Sequence, residues 1–434
     1  MGFPTRGTAS NLKRTRAFAS NEDRRVKARP LTSTESFDGS LQYIPNGLVL
    51  QLVTAFVHRH EPAVALLFGI TEEGVRVTVH VNLVDLPLRL WKLTQMPVDK
   101  DVNLLGHYEI PAMSWVKLPA DKYDPVRVRH TVSHNLCQTE VTIRHDDIMF
   151  HSTEWIWATP PTLRTLSFSI QTSFRREPQH PQPADQPILH IVSIIESKIN
   201  GNASTLRSLL PYSIHTGISH TYRVLFTTKR CARIPGVDIR FYTDESDMLA
   251  AWRSFLLASD PDLVTGFNIG IFDLNHLILR AEKLKVPDFA CLGRIIGARA
   301  KAVEVGPGQP RRFCDAPVLA GRLQLDVKQY ILEELVSESS TTTASITLNE
   351  ACRRYLRPGP DDYGQVLDNA TIRDLQTRTD EDYAQLVLHC LKDTYLTLRL
   401  LHRLKCIEKA ARAARHIRSI HLPFDQFLRH GRSC

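Results

Sequence analysis

The chain has 434 residues, 43% of them hydrophobic and 23% charged, which is enough to bury the cores of about two to three globular domains. Its apolar runs, such as residues 63–68, fall far short of the roughly 20 residues of a bilayer-spanning helix, and no apolar signal-peptide core stands at its start. Its eight cysteines form no C-x-x-C pair, which disfavours zinc and iron-sulfur modules and a disulfide scaffold. We therefore expect a globular protein of a reducing compartment with no membrane association.

The first 40 residues form a basic segment rich in Ser, Thr, Arg and Lys. The formal net charge is +8 at pH 7, and residues 1–30 hold eight Lys and Arg against Glu22 and Asp23, so most of the excess lies there. Two basic clusters, residues 13–16 and 24–29, suit a bipartite nuclear-import signal, a nucleic-acid-binding arm or simply a solvated tail. We predict a disordered basic tail over residues 1–40 and a location in the nucleus.

Residues 41–160 predict a β-rich N-terminal domain. Short apolar runs separated by turn residues are typical of antiparallel strands. Gly74 lies between two of these runs and can adopt the positive φ that a hairpin turn needs. The predicted strands are residues 48–58, 63–69, 75–83, 114–117 and 138–143.

Residues 161–405 change to strands alternating with helices, which predicts an α/β fold with a mixed sheet. The predicted strands are residues 163–170, 188–195, 222–227, 237–242 and 263–267, and the predicted helices are residues 245–258, 273–285, 348–357 and 379–415. Further predictions are a projecting hairpin over residues 300–325, an exposed loop over residues 337–345, and a basic C-terminal helix and tail over residues 406–434.

Two places in this region carry candidate catalytic or metal-ligating side chains. Asp273 follows the predicted strand 263–267 and opens a helix, so it is either a helix N-cap or a metal ligand at a strand-to-helix junction. His389 and Asp393 are four residues apart on one helical face, so they form either a simple helical pair or one wall of a shared cleft. The residues alone leave both interpretations open at each place.

Both places fall within runs of sequence that resemble family B DNA polymerases, most closely those of the delta type. The resemblance extends from about residue 66 to the end of the sequence and rests on the ordered runs 68–74, 118–123, 265–273, 292–294, 321–326 and 390–393. It implies an RNase H-like 3′-5′ exonuclease fold with a mixed sheet, preceded by a mainly β N-terminal domain, and a role in DNA replication. The sequence contains no polymerase active-site motif, so we expect no DNA synthesis by this chain.

The resemblance also implies a two-metal site. Exonucleases of this family hold two Mg²⁺ or Mn²⁺ ions with four carboxylates, and the ions activate the water and stabilise the leaving oxygen. Asp273 and Asp393 stand in the second and third motifs as catalytic metal ligands, but Ser169 and Gln171 stand where the first motif has Asp and Glu, and His389 replaces a Tyr. Because neutral oxygens compete weakly for a hard dication, we predict a degenerate catalytic site, with Mg²⁺ or Mn²⁺ as the cofactor if the site is active and no cofactor otherwise.

Two other functions remain open. The chain is an active 3′-5′ exonuclease if Glu177, Asp185 or Glu196 completes the ligand set, and Glu196 also offers a second placement of the first motif. The chain is a non-enzymatic module if it binds replication polymerase subunits without gripping DNA.

Candidate contacts to single-stranded DNA or a primer 3′ end come from the resemblance and from charge. By resemblance, Asn268 lies near the bound strand, and Phe272 in the same motif either stacks on a base or belongs to the core. Lys405, Lys409 and Arg412 recur at spacings of four and three residues. They therefore form one basic stripe on a helix, which either binds phosphates or is a solvated face.

Overall fold

The computed structural model describes residues 47–57, 64–82, 113–126, 137–151, 163–173, 185–198, 214–216, 219–302, 319–338, 345–356 and 367–417, apart from Glu73 and Gln138. The predicted tail over residues 1–40, the centre of the predicted hairpin over residues 300–325 and the end of the C-terminal segment lie outside these residues. Within the described part, no helix is both long and apolar enough to cross a membrane.

The first sheet has seven strands among the described residues, in the order β5-β6-β3-β2-β1-β4-β7. Most of their apolar side chains are buried in one cluster, and the central strand β2 is buried on both faces, with Leu66 and Phe68 packing against Ile295 on the other side. The strands are β1 Leu48–Val57, β2 Val64–Thr71, β3 Arg76–Asn82, β4 Trp115–Leu118, β5 Tyr123–Pro125, β6 Thr139–Arg144 and β7 Met149–Phe150.

The predicted hairpin at Gly74 is confirmed, because β2 and β3 pair antiparallel and Gly74 has φ +84°. The expectation of an entirely antiparallel domain is wrong at one place, since β3 and β6 run parallel with Val77 opposite Thr139. More than fifty residues connect these two strands, and parallel neighbours need such a long crossover connection.

The second sheet is mixed, as predicted, with the order β10-β11-β9-β8-β13-β14 and with β12 also paired to β11. Strands β8 to β11 pair antiparallel, whereas β13 runs parallel to both β8 and β14. The strands are β8 Thr165–Thr172, β9 Ile188–Lys198, β10 Ile214–Thr216, β11 Ser219–Thr227, β12 Asp238–Phe241, β13 Leu263–Gly266 and β14 Leu323–Asp326.

Seven α-helices lie in the described part of the chain. They are α1 Glu245–Ser259, α2 Leu274–Lys283, α3 Val327–Glu338, α4 Leu348–Tyr355, α5 Asn369–Thr377, α6 Asp380–Arg403 and α7 Cys406–Ile417. The predicted single helix over residues 379–415 is wrong, because Lys405 is left-handed with φ +53° and separates α6 from α7. The apolar periodicity continues across this break, so the sequence pattern alone does not reveal it.

Helices α3 and α5 were not predicted, although each begins at a recognisable cap. The carboxylate of Asp326 accepts from the backbone N–H of Lys328 at 3.0 Å, and that of Asp368 accepts from Thr371 at 2.7 Å. An Asp just before an apolar-periodic run is a helix-start signal. Since α3 extends to Glu338, it also includes the start of the loop predicted over residues 337–345.

Helices cover both faces of the second sheet. On one face, Trp252 of α1 packs on Phe168 of β8 with ring centroids 5.1 Å apart and donates its indole N–H to Ser193 of β9 at 3.0 Å. On the other face, α3, α4 and α6 pack into an apolar cluster that also includes side chains of the first sheet. The helix-sheet-helix layers hold β8, β13 and β14 rigidly side by side.

The parallel alignment of β8, β13 and β14 gives the second sheet two chemically different edges. Thr165 is opposite Leu263, and Leu263 is opposite Leu323, so the three strands end at one edge. At the edge where they begin lies a buried charged cluster, which consists of Asp260, Asp262, Arg76, Arg294 and Arg322.

In the charged cluster, Asp262 accepts from Arg76 Nε at 3.0 Å, from Arg76 Nη2 at 2.8 Å and from Arg294 Nη2 at 2.6 Å. Burial alone would raise the pKa of Asp262, but Arg76 and Arg294 hold that pKa below its ordinary value. Because Arg76 belongs to β3, these bonds join the first sheet to the second.

Candidate functional site

Asp273 lies at the edge where β8, β13 and β14 end. After β13 the chain takes the left-handed conformation at Asn268, with φ +75°, and then forms a π-helical turn over Ile269–Asp273. Asp273 itself has helical dihedral angles and makes no capping bond with its side chain, so its interpretation as an N-cap is wrong. Its Oδ1 instead accepts from the backbone N–H of Ile170 at 3.1 Å, across to β8.

Burial determines the charge of Asp273. It raises the pKa of this carboxyl to about 8, the N–H of Ile170 opposes the rise and the nearby Asp326 adds to it. A carboxyl with such a pKa is mostly protonated at neutral pH in the absence of a cation.

Asp326 is a site residue that sequence reasoning missed. It ends β14 and is buried, and its two carboxylate oxygens accept from the backbone N–H groups of Asn268 at 2.9 Å and Gly270 at 3.1 Å. The same carboxylate accepts from the first turn of α3. Asp326 thus fixes the turn that carries Asp273, and the available signal was a carboxylate at the end of a parallel strand.

Ser169 lies on β8 one residue before Ile170, whose N–H bonds Asp273, and it faces α6. Its hydroxyl is 3.0 Å from Oγ1 of Thr394, and the hydroxyl of Ser167 donates to the carbonyl of Thr394 at 3.2 Å. Thr394, another residue that the sequence did not single out, donates in turn to the carbonyl of Cys390 at 2.8 Å. Neutral hydrogen bonds therefore connect β8 to α6 beside Asp273.

Gln171 lies two residues further along β8, on the same side of the strand as Ser169. Its Oε1 is 3.9 Å from Sγ of Cys390, a thiol whose pKa burial raises above its ordinary value. Asp393 and Asp273, when ionised, raise the pKa of this thiol further. The structure thus brings Ser169, Gln171 and Asp273 to one place.

Asp393 and His389 occupy the adjacent face of α6. Nδ1 of His389 lies 3.4 Å from Oδ2 of Asp393, which is the helical pair that their spacing predicts. Partial burial raises the pKa of Asp393, and the positive charges of His389 and Lys392 oppose that rise. A His at this place can hold a proton or a water, but its ring is engaged with the Asp393 carboxylate.

The other candidate ligands lie elsewhere or outside the described residues. Glu196 of β9 is opposite Thr165, at the far end of β8, and bonds His402 at 2.6 Å. The alternative placement of the first motif at Glu196 is therefore wrong. Asp185 pairs with Lys283 on the surface, and Glu177 lies outside the described residues.

These donors do not fit a pair of divalent cations. Among the described residues, no group of three or more His, Cys, Asp or Glu side chains is arranged to hold a metal ion. The carboxyl donors near β8 are Asp273 and Asp393, while both oxygens of Asp326 already accept from backbone N–H groups. Mg²⁺ and Mn²⁺ need several hard, charged oxygens, and the neutral Ser169 and Gln171 supply none.

The predicted DNA contacts fall into two groups. Phe272 is 39% exposed, packs against His276 with ring centroids 5.8 Å apart, and borders Asp273 together with Asn268. The predicted basic stripe begins at the α6–α7 break instead of continuing one helix, and its residues Lys405, Lys409 and Arg412 are exposed.

Lys409 of the stripe has an acidic partner among the described residues. Its Nζ lies 3.2 Å from Glu334 of α3 and over the ring of Tyr330. This pair reduces the charge that the stripe offers to phosphates.

Comparison with known proteins agrees with this architecture. The family described as DNA polymerase family B, exonuclease domain, matches residues 94–351. The DNA polymerase delta catalytic subunit of Bos taurus is 31% identical over 419 residues, covering 94% of this chain and 34% of that protein. The Candida albicans subunit of the same name is 30% identical over 334 residues, covering 76% of this chain and 29% of that protein. The chain thus spans about a third of the length of the curated relatives it matches.

A solved structure shows the fold independently. The family B DNA polymerase of the hyperthermophilic archaeon Pyrobaculum calidifontis aligns with a TM-score of 0.56 at 14% identity, covering 88% of this chain and 48% of that one. The predicted mixed α/β fold of the RNase H-like exonuclease type is confirmed. Since the family match covers more than half of the sequence, the chain belongs to the family B DNA polymerase exonuclease-domain family, with delta-type catalytic subunits among its relatives.

Proposed function

We propose that this chain is a catalytically degenerate exonuclease-type domain that binds single-stranded DNA or a primer 3′ end. The observation that carries the proposal is the hydrogen bond of Ser169 to Thr394, beside the Asp273 carboxyl. A neutral hydroxyl engaged with α6 occupies the place where the family's first carboxylate would hold the metals. Hydrolysis therefore lacks its cation-binding centre, while the fold around it is kept.

Binding without hydrolysis uses the same residues in different roles. Asn268 and Phe272 contact the terminal nucleotide, with the exposed Phe272 ring stacking on a base. Lys405, Lys409 and Arg412 bind phosphates beyond it, with Lys409 the weakest because of Glu334. Asp273 and Asp393 are remnants of the catalytic set, and His389 no longer positions a water.

The decisive experiment is digestion of a 5′-labelled single-stranded oligonucleotide in Mg²⁺ and in Mn²⁺. Wild type should leave the DNA intact, and the triple variant Ser169→Asp, Gln171→Glu, His389→Tyr should degrade it from the 3′ end. Asp185→Asn is the control for the loss of a carboxylate in Asp273→Ala, because the carboxylate that it removes pairs with Lys283 on the surface. Degradation by wild type that Asp273→Ala abolishes would overturn the degenerate assignment in favour of an active exonuclease.

Binding is tested separately by fluorescence anisotropy of the same oligonucleotide in EDTA over a salt series. Affinity should fall steeply with salt, by about 0.7 log units per log unit of salt for each phosphate contact. Binding with no salt dependence, or no binding at all, would reject the DNA-binding part of the proposal.

The cellular setting is also part of the proposal. The relatives are catalytic subunits by name, so replication polymerase subunits are candidate partners of this chain. The basic clusters at residues 13–16 and 24–29 support a nuclear location. A fluorescent fusion should accumulate in nuclei, and replacing both clusters with Gln and Ser should disperse it; unchanged accumulation would contradict the import role of the tail.

A further inference from the structure

Helix α6 carries a line of apolar and basic side chains, here named the α6 face, in which the two apolar members and Arg403 are exposed and the two other basic members are half-buried. Leu388 and Tyr395 are 49% and 45% exposed, and Arg403 is exposed as well. With 3.6 residues per turn, spacings of four, three, four and four residues keep all members on one side of the helix. The members are Leu388, Lys392, Tyr395, Arg399 and Arg403.

The composition of the α6 face suits a single nucleic-acid strand. A single exposed apolar residue needs no explanation, but on this face a leucine and an aromatic ring share one line with three cations. Aromatic rings that stack on bases, with Lys and Arg between them for the phosphates, are how proteins hold single strands without sequence preference. The α6 face has both parts.

The α6 face is also next to the candidate site. Asp393 lies on the same helix, about a third of a turn from the centre of the face. Lys392 is near enough to Asp393 for its charge to act on that carboxylate. A strand that runs from Asp393 along the outside of α6 therefore meets the α6 face.

At its other end the α6 face leads toward the basic residues of α7. Nε of Arg403 donates to the carbonyl of Tyr355 at 3.3 Å, and a neutral acceptor leaves the guanidinium charge in place. Arg403 precedes Lys405 by two residues, so the face and the exposed Lys405 are contiguous. About 15 Å of helix separates Asp393 from Arg403, which is room for two or three nucleotides.

We propose that the α6 face is the path of the bound strand, with a base stacked on Tyr395 and phosphates on Lys392 and Arg403. This inference rests on the proposed function and deepens it, because it assigns the surface that holds the DNA beyond the cleft. The α6 face adds to the basic stripe, whose first residue, Lys405, continues the path directly.

The test is fluorescence anisotropy with a labelled 12-nucleotide oligothymidylate in EDTA over a salt series. Tyr395→Ala should weaken binding about tenfold, because stacking on an aromatic ring is worth about that factor or more per base. Its salt slope should stay that of wild type. Lys392→Gln with Arg403→Gln should instead lower the salt slope by about 1.4, the value for two lost phosphate contacts on a single strand.

Matched controls separate the α6 face from general effects. Phe241→Ala removes an aromatic ring of similar exposure, 47%, from β12, and Arg299→Gln removes an exposed charge that pairs with Asp288. Both should bind like wild type, and circular dichroism melting should show all variants folded.

Two outcomes are distinguishable. If wild type does not bind the oligonucleotide, the proposed function itself fails. If wild type binds but Tyr395→Ala and the double variant bind equally well with an unchanged salt slope, the DNA runs elsewhere and the α6 face is not its path. Photo-cross-linking of a 4-thiothymidine oligonucleotide, followed by mass spectrometry, should place the attachment within residues 388–403.

Discussion

Replacing Asp262 by Asn should destabilise the protein more than any single change at the candidate site. The side chain of Asp262 is fully buried and accepts four hydrogen bonds, three from Arg76 and Arg294 and one from the backbone N–H of Arg164 at 2.8 Å. Asn has nearly the same shape but no charge, and its NH₂ group would face the N–H donors of the arginines.

The magnitude follows from what is left behind. The side chains of Arg76 and Arg294 are only 7% and 1% exposed, so water cannot replace the lost carboxylate. Removing one partner of a buried ion pair costs about 3–5 kcal/mol, against a total stability of about 5–15 kcal/mol for a typical domain. We therefore expect Asp262→Asn to lose about 3–5 kcal/mol in free energy of unfolding.

Urea unfolding followed by tryptophan fluorescence measures this loss. Asp374→Asn is the matched control, because its pair with Arg378 is exposed and contributes about 0.5 kcal/mol or less. A double-mutant cycle with Arg76→Met should give a coupling of about 1–3 kcal/mol between the two sheets. If Asp262→Asn loses no more stability than Asp374→Asn, the account of the charged cluster is wrong.

Three further predictions concern single residues. Burial lowers the pKa of His190 to about 3 in the folded protein, against about 6.5 in the unfolded chain. Between these two pH values the unfolded chain binds a proton that the folded protein does not, so stability falls as the pH is lowered from 6.5. Between pH 7 and pH 5, wild type should lose about 2 kcal/mol more than His190→Asn in urea unfolding, and equal losses would contradict this. Asp326→Asn should cost about 2–3 kcal/mol, since its carboxylate accepts several backbone N–H groups; a change below about 0.5 kcal/mol would refute that role. Thr394→Val should cost about 1 kcal/mol, and a loss no larger than that of the exposed control Thr377→Val would show that its bond to Ser169 adds nothing.

Local patterns in the sequence predicted most of the secondary structure. Apolar runs bounded by turn residues identified strands such as β8 and β9 and helices such as α1, because such patterns arise within one element. The alternation of strands with helices predicted the mixed sheet. The break at Lys405 was missed because the apolar pattern continues across it.

The arrangement around Asp273 was predictable only in part. A carboxylate after a strand and a His-Asp pair on a helix pointed to the segments that carry Asp273, His389 and Asp393. The π-helical turn, the left-handed Asn268 and the hydrogen bonds that Asp326 accepts from this turn depend on contacts between distant segments. The same holds for Arg76 and Asp262, which are separated by 186 positions, a contact that no local pattern encodes.

The two edges of the second sheet allow the chain to change at one end without loss at the other. The salt-bridged cluster at the beginning of the parallel strands secures the architecture, so replacements such as Ser169 and Gln171 at their far end leave that anchorage untouched. In a site without cations, clustered carboxylates repel one another, and neutral side chains relieve the repulsion. Under the proposed function, the anchorage at one edge is what keeps the scaffold folded although the ion-binding side chains at the other edge are replaced.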